Sequence, residues 1–232
     1  TAKLDGAAEL AKQGANANEL IIPKLDMQGL GDYDRNSGYV MGDVTLTNET
    51  VKCNYDRGRM FTIDNVDNMD TAGIAFGRLA GEFIRTKVVP ELDAFRFASY
   101  AGISGISSAT PATLSSGEEI IAALRAATTK MDEDEVPFED RHLFITPTLD
   151  GMIMDLDTTK SKEVLSRFTT KTLVPQTRFY TAIKLKSGKT SEEVGGYEKE
   201  SSSGKDINFM VIHKPAVIQF EKHIAPKIIT PD

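Results

Sequence analysis

Val88-Val89-Pro90-Glu91-Leu92-Asp93-Ala94-Phe95-Arg96-Phe97-Ala98 lies in the longest helical pattern of the chain, and its reading decides the fold. Apolar residues recur upstream at Phe76, Leu79 and Phe83, and within the stretch at Val88, Leu92, Phe95 and Ala98. Spacings of three and four place them on one stripe of a helix. Asn68 or Asp70 caps its start, because a short polar side chain accepts from the open amides of a first turn. Pro90 removes one backbone hydrogen bond and crowds the turn before it. The stripe resumes past the proline, so the pattern predicts one kinked helix over residues 71–101. At 1.5 Å per residue it would span about 45 Å, long for a domain of this size.

Toward the N-terminus the character changes. Residues 1–18 are rich in Ala and polar side chains and read as a short helix or an arm. Glu19-Leu20-Ile21-Ile22-Pro23 reads as a strand ended by its proline. Residues 26–43 carry Gly29, Gly31, Gly38 and Gly42 among Asp, Asn and Ser, the composition of an extended loop. A loop that long in a compact domain generally reaches something outside it. Val44-Thr45-Leu46-Thr47 and Thr50-Val51-Lys52-Cys53 read as two strands turning at Asn48-Glu49, and residues 59–63 as a further extended segment.

Toward the C-terminus, Ser115-Ser116-Gly117-Glu118 has the look of a capping box, followed by helical spacing at Ile120, Leu124, Ala127 and Met131. The acidic run 132–135 reads as a solvated helix end. His142-Leu143-Phe144-Ile145-Thr146 is a buried strand, and Pro147 suits the first turn of a helix bearing Leu149, Met152, Ile153 and Leu156. Residues 178–185 read as a strand, 187–206 as a surface loop or hairpin tip, 207–213 as a second apolar segment, and 217–229 as extended or mixed.

The 232 residues carry a net charge of −7, which argues against a general nucleic-acid binder but not against a wall enclosing DNA. Cys53 is the only cysteine, so no intrachain disulfide forms. No apolar run approaches the roughly 20 residues that cross a bilayer, and no membrane partner is expected. The start at Thr1 lacks both an initiator Met and a signal-peptide core, so a preceding segment is expected, removed or outside this chain.

Tests for chemistry favour the plainer readings. Ser187-Gly188-Lys189-Thr190 resembles the end of a phosphate loop, but Ile183 stands where the first glycine is required, so it reads as a turn. Asp64, Asp67, Asn68 and Asp70 break the calcium-loop alternation at Val66 and read as helix caps. His142, His213 and His223 show no ligand spacing, and Asn48-Glu49-Thr50 is a turn and not a glycosylation site. The expectation is no catalytic residue, no metal ligand and no cofactor.

Four segments together resemble the major capsid proteins of tailed bacteriophages, of the Hong Kong 97-type fold. They are Arg57-Gly58-Arg59-Met60-Phe61-Thr62-Ile63-Asp64, residues 72–101, Val136-Pro137 with residues 141–148, and residues 207–223. Their order and spacing match the family from about Glu19 onward. The resemblance implies an α+β chain divided into an N-terminal arm (1–18), an extended β-hairpin loop (19–64), a peripheral domain with a long spine helix (65–109), an axial domain (110–206) and a return to the peripheral domain (207–232). The family continues past the position of Asp232, which implies further sequence there.

The function implied is a shell protein that self-assembles into pentamers and hexamers of an icosahedral head. Implied partners are many copies of itself, packaged double-stranded DNA held without sequence-specific binding, and scaffolding, portal or decoration proteins. The implied place is the virion, assembled in the bacterial host cytoplasm. Leu30, Tyr33, Tyr39 and Val40 of the long loop are the candidate interface anchors, with packing inside the chain as their alternative role. Competing readings are a nanocompartment shell of the same fold, a cation-dependent enzyme using the cluster from Asp64 to Asp70, and a tail-tube protein, which a long kinked helix suits poorly.

Overall fold

A central strand with apolar residues on both faces needs cover on both, and this requirement organises the larger part of the molecule. The computed structural model describes residues 1–5, 12–13, 19–61, 74–156, 159–189 and 194–220. These residues are a mixture of helices and sheets in two compact units, one drawn from 1–4 and 63–217, the other from 5–62 and 218–225.

The larger unit is built around β4, Arg141–Ile145, all five residues of which are buried. β4 pairs in parallel with β5, Thr170–Leu173, and antiparallel with β8, Phe209–His213. A parallel neighbour needs a crossover, supplied by α4, Pro147–Met154, and α5, Thr159–Ser166. Side chains alternate along β4. Leu143 and Ile145 pack with Ile120 and Leu124 of α3 (Gly117–Glu133), with Leu149 and Ile153 of α4, and with Val164 of α5. Phe144 faces the other way, into Leu4, Val174, Phe179, Ile212 and Phe97 of α2 (Val89–Ala101). The Phe97 ring meets Phe144 at 5.2 Å and Phe179 at 4.9 Å, both edge-on, the geometry aromatic quadrupoles favour. A two-stranded sheet, β6 (Ile183–Leu185) with β7 (Tyr197–Lys199), also lies in this unit.

The long helix is present and continuous over its described part. α1, Ile74–Phe83, passes through a π turn, Ile84–Val88, into α2. The amide of Val89 bonds the carbonyl of Ile84, five residues back. This wider turn falls immediately before Pro90, where the tighter ladder would lose a donor and meet the ring. The residues at 71–73 and the caps read at Asn68 and Asp70 lie outside the described residues.

The capping box starts one residue later than its first reading. The Ser116 hydroxyl accepts from the Glu119 amide at 3.3 Å, and the Glu119 carboxylate reaches back to the Ser115 amide at 2.8 Å. With Ser116 as the cap, Ile120, Leu124 and Thr128 form the buried stripe of α3. Gly117, at the first helical position, lies against α4. A Cβ there would collide with the Met152 carbonyl and stand 2.7 Å from Leu156 Cδ1. Gly117→Ala is therefore expected to destabilise the protein by about 2 kcal/mol, as overpacking against backbone does. A urea midpoint equal to that of the parent protein would contradict this.

The smaller unit is a sheet of β1 (Lys12–Gln13), β2 (Glu19–Met27) and β3 (Val44–Lys52), in that order. Two expectations are corrected here. Val44–Lys52 is one unbroken strand and not a hairpin turning at Asn48-Glu49, because those residues pair with Pro23 and Ile22 of β2. β2 does not stop at Pro23 but continues to Met27. Among the described residues β1 pairs with Leu20 and Ile21 alone, so at Pro23 the described partner of β2 is β3, and a strand tolerates proline where it has one partner.

Candidate functional site

Pairing Leu25 with Leu46, and Met27 with Val44, puts four apolar side chains side by side on one face of the β2–β3 hairpin. They are 58 %, 67 %, 65 % and 60 % exposed respectively. Over this outer stretch the opposite face carries Lys24, Asp26, Thr45 and Thr47, with Lys24 ion-paired to Glu49, while Leu20, Ile22 and Val51 share that face further along the ladder. This outer part of the hairpin is thus amphipathic, and its apolar face is open to water. A two-stranded hairpin is only marginally stable alone, and a contiguous exposed apolar strip on one marks an interaction surface.

The connecting loop is folded on itself. Backbone bonds join Asp34 and Gly38 in both directions, at 3.2 and 2.7 Å, and the Asp34 carboxylate accepts from the Asn36 amide and the Ser37 hydroxyl. Gly38 takes φ +81°, a backbone that L side chains rarely adopt. The same bonds hold the Asp34 carboxyl below its ordinary pKa, the Asn36 amide most of all. All four loop residues singled out from sequence are exposed, together with Met41. Tyr33 and Tyr39 lie with ring centroids 4.9 Å apart, and Val40 covers Gly31, whose Cβ position is 3.3 Å from Val40 Cβ. Leu30 is fully exposed. These four are legible as loop residues from sequence alone, whereas Leu25, Met27, Val44 and Leu46 are not. The unbroken alternation of Leu25/Met27 and Val44/Leu46 was the signal for them, hidden by ending one strand at Pro23 and dividing the other at Asn48.

The residues tested for chemistry fall elsewhere. Ser187 and Gly188 sit in the connection between β6 and β7, while Thr190 lies outside the described residues, as do Asp64, Asp67, Asn68, Asp70 and His223. Asn48-Glu49-Thr50 is mid-strand in β3. Among the described residues, no three His, Cys, Asp or Glu side chains cluster as metal ligands would, and no helix is long and apolar enough to cross a membrane. The acidic run is not simply a solvated end. Asp132 bonds Arg141 at 2.6 Å and Asp134 bonds Lys130 at 2.9 Å.

His142 is buried in β4. Its Nδ1 lies 2.6 Å from the Thr170 hydroxyl, and its Nε2 is buried with no hydrogen-bond partner. Burial lowers its pKa and outweighs the attraction of Asp140. Below the ordinary imidazole value of about 6.5, the unfolded chain takes up a proton that the folded one resists. Stability from this group is therefore full above that pH and is lost on acidification. The drop in urea midpoint between pH 7.5 and 5.5 is expected to be smaller in His142→Gln than in the parent; an identical drop would remove His142 from the account.

Comparison of the chain with protein-family models, with curated proteins and with solved structures returned no match. The hairpin surface therefore carries the functional reading by its own geometry.

Proposed function

We propose that this chain is a self-assembling shell subunit, a major capsid protein of the tailed-phage type with the Hong Kong 97-type fold. In this reading copies form pentamers and hexamers that close an icosahedral head around double-stranded DNA, in the virion, without sequence-specific contacts. The observation that carries it is the hairpin with one exposed apolar face, formed by Leu25, Met27, Val44 and Leu46. Such a face gains free energy only when covered, at roughly 25 cal/mol per Å² of apolar surface. A stable contact buries about 800 Å² per partner, and in this reading the hairpin face and its aromatic loop contribute to that area. Ring-forming heterologous contacts follow when the covering surface belongs to the next copy. The continuous helix from Ile74 to Ala101 and the four sequence segments support the family assignment.

The test is expression of the chain alone, with sedimentation velocity and negative-stain microscopy of the product. Closed particles are expected, and their DNA content when made in infected cells separates a genome shell from a protein-filled nanocompartment. A monomer that persists at high concentration would overturn the reading. Cation-dependent turnover by such a monomer would favour the enzyme instead.

A further inference from the structure

β4 places His142 on the same face as Phe144, two residues on, and directly opposite Ile212 of β8. Phe144 and Ile212 belong to the apolar cluster that also holds Leu4, Phe97 and Phe179. Leu4 comes from the short turn Ala2–Leu4, of which it is the one buried residue, with no exposed surface. The Leu4 amide bonds the Thr1 carbonyl at 2.9 Å. At the other end of the turn, the Thr1 hydroxyl donates to Asp93 at 2.7 Å and accepts from Arg96 at 3.1 Å. Residues 5–62, which follow, belong to the other compact unit. A turn anchored by one apolar side chain thus lies on the face that carries the imidazole.

His142 is 5 % exposed, its Nδ1 is taken by the Thr170 hydroxyl, and its Nε2 is buried without a partner. In the neutral ring this leaves one bond unmade. In the imidazolium both nitrogens carry hydrogen, and a buried positive N–H with no acceptor is far costlier. The nearby charges do not rescue it. Asp140 draws the proton, but Lys214 and His213 at the end of β8 and Lys3 of the turn oppose it, and burial outweighs them all. β5 offers Thr170, while its Lys171 pairs with Asp150 of α4. We propose that Thr1–Leu4 is an acid-released latch: proton uptake by His142 lifts Leu4 from its seat, and water then reaches the imidazolium. The turn is the cover that moves most cheaply, because β5 and β8 are held to β4 by ladders and Phe97 by a thirteen-residue helix. Lys3, carried on the turn, leaves with it. The latch requires only the chain's own fold and stands apart from the shell reading.

The experiment follows amide hydrogen exchange of the full chain by NMR at pH 7.5 and 5.5, each rate corrected for intrinsic exchange. The Leu4 amide reports the latch and the Phe144 amide the central strand. An open form with an ordinary imidazole pKa of about 6.5, against a closed form that resists the proton, becomes about tenfold more populated between these pH values. Leu4 protection is therefore expected to fall about tenfold on acidification, with Phe144 about tenfold or more better protected than Leu4 throughout. His142→Gln, neutral at both pH values, is expected to remove the fall. Leu4→Ala loosens the latch without altering the histidine, and by reciprocity the His142 ring then titrates closer to its ordinary value. This variant carries the test should His142→Gln fail to fold. Equal protection at Leu4 and Phe144 would mean that the turn leaves only with the whole fold. That result, a pH-independent Leu4 amide, a fall undiminished in His142→Gln, or an unchanged ring titration in Leu4→Ala would overturn the proposal.

Discussion

Glutamate at both Leu25 and Leu46 is expected to leave a folded monomer and abolish particle formation. The two leucines face each other across the β2–β3 ladder, in the middle of the exposed apolar strip. In an isolated chain both positions are more than half exposed, so a carboxylate there stays hydrated and costs the fold little. In an assembled shell both would be covered. Each lost leucine forfeits roughly 1.5–3 kcal/mol of burial, and each unpaired carboxylate carried into the contact adds a desolvation penalty of several kcal/mol. The penalty recurs at every copy, so a shell with many such contacts fails as a whole. The control lies on the opposite face: Lys24→Ala with Glu49→Ala removes an exposed ion pair worth less than about 1 kcal/mol and should leave assembly intact. Sedimentation velocity reads the outcome, with thermal melting to show that both variants fold. Normal particle yield from Leu25→Glu/Leu46→Glu would remove the hairpin face from the proposed contact.

The parts of the fold that were legible in sequence are those in which local signal and tertiary setting agree. Leu143, Phe144 and Ile145 form an apolar run closely followed by Pro147, and both the strand that holds them and the helix after it are where the pattern put them. The long apolar stripe resumes past Pro90, and the helix does too, with a π turn absorbing the proline where a kink was anticipated. Errors arose where a strong local signal was overruled by pairing. Pro23 reads as a stop, yet among the described residues it pairs with Asn48 of β3 and β2 runs on past it. Asn48-Glu49 reads as a turn, yet a nine-residue partner holds it extended. α5 and β5 have no readable pattern because their sequences, Thr159–Ser166 and Thr170–Leu173, are mostly polar, with Val164 and Leu165 the apolar residues of one and Leu173 that of the other. β5 is defined by its parallel pairing to β4, a long-range fact with no local signature. The candidate surface was half legible for a similar reason: a glycine-rich loop announces itself, whereas an apolar face needs the strand register before its members can be seen together.

Breaking the cage around Arg141 is expected to cost more stability than any other single change considered, about 3–5 kcal/mol for Arg141→Ala. This guanidinium is fully buried, one of the largest such side chains in the molecule. Its Nε donates to the Pro137 carbonyl at 2.9 Å, one terminal nitrogen to Asp132 at 2.6 Å and the other to the Val136 carbonyl, while the Phe138 ring lies 4.8 Å away. The segment between α3 and β4 bends around it through Glu135 and Asp140, both at φ 56°. Removing the side chain therefore leaves a cavity, two carbonyls without donors and a turn without its centre. Asp132→Asn attacks the same structure from the other side, since it keeps the shape and removes the countercharge. Asp132 is 29 % exposed in its side chain, so water partly compensates, and a smaller loss of about 2 kcal/mol is expected. The double variant should lose clearly less than the sum of the two, because the charge left unpaired in each single variant is gone. Urea denaturation of the four proteins closes the cycle. Additive losses would mean that the pair contributes nothing beyond its packing, and a loss under 1 kcal/mol for Arg141→Ala would mean that the cage does not hold the start of the central strand.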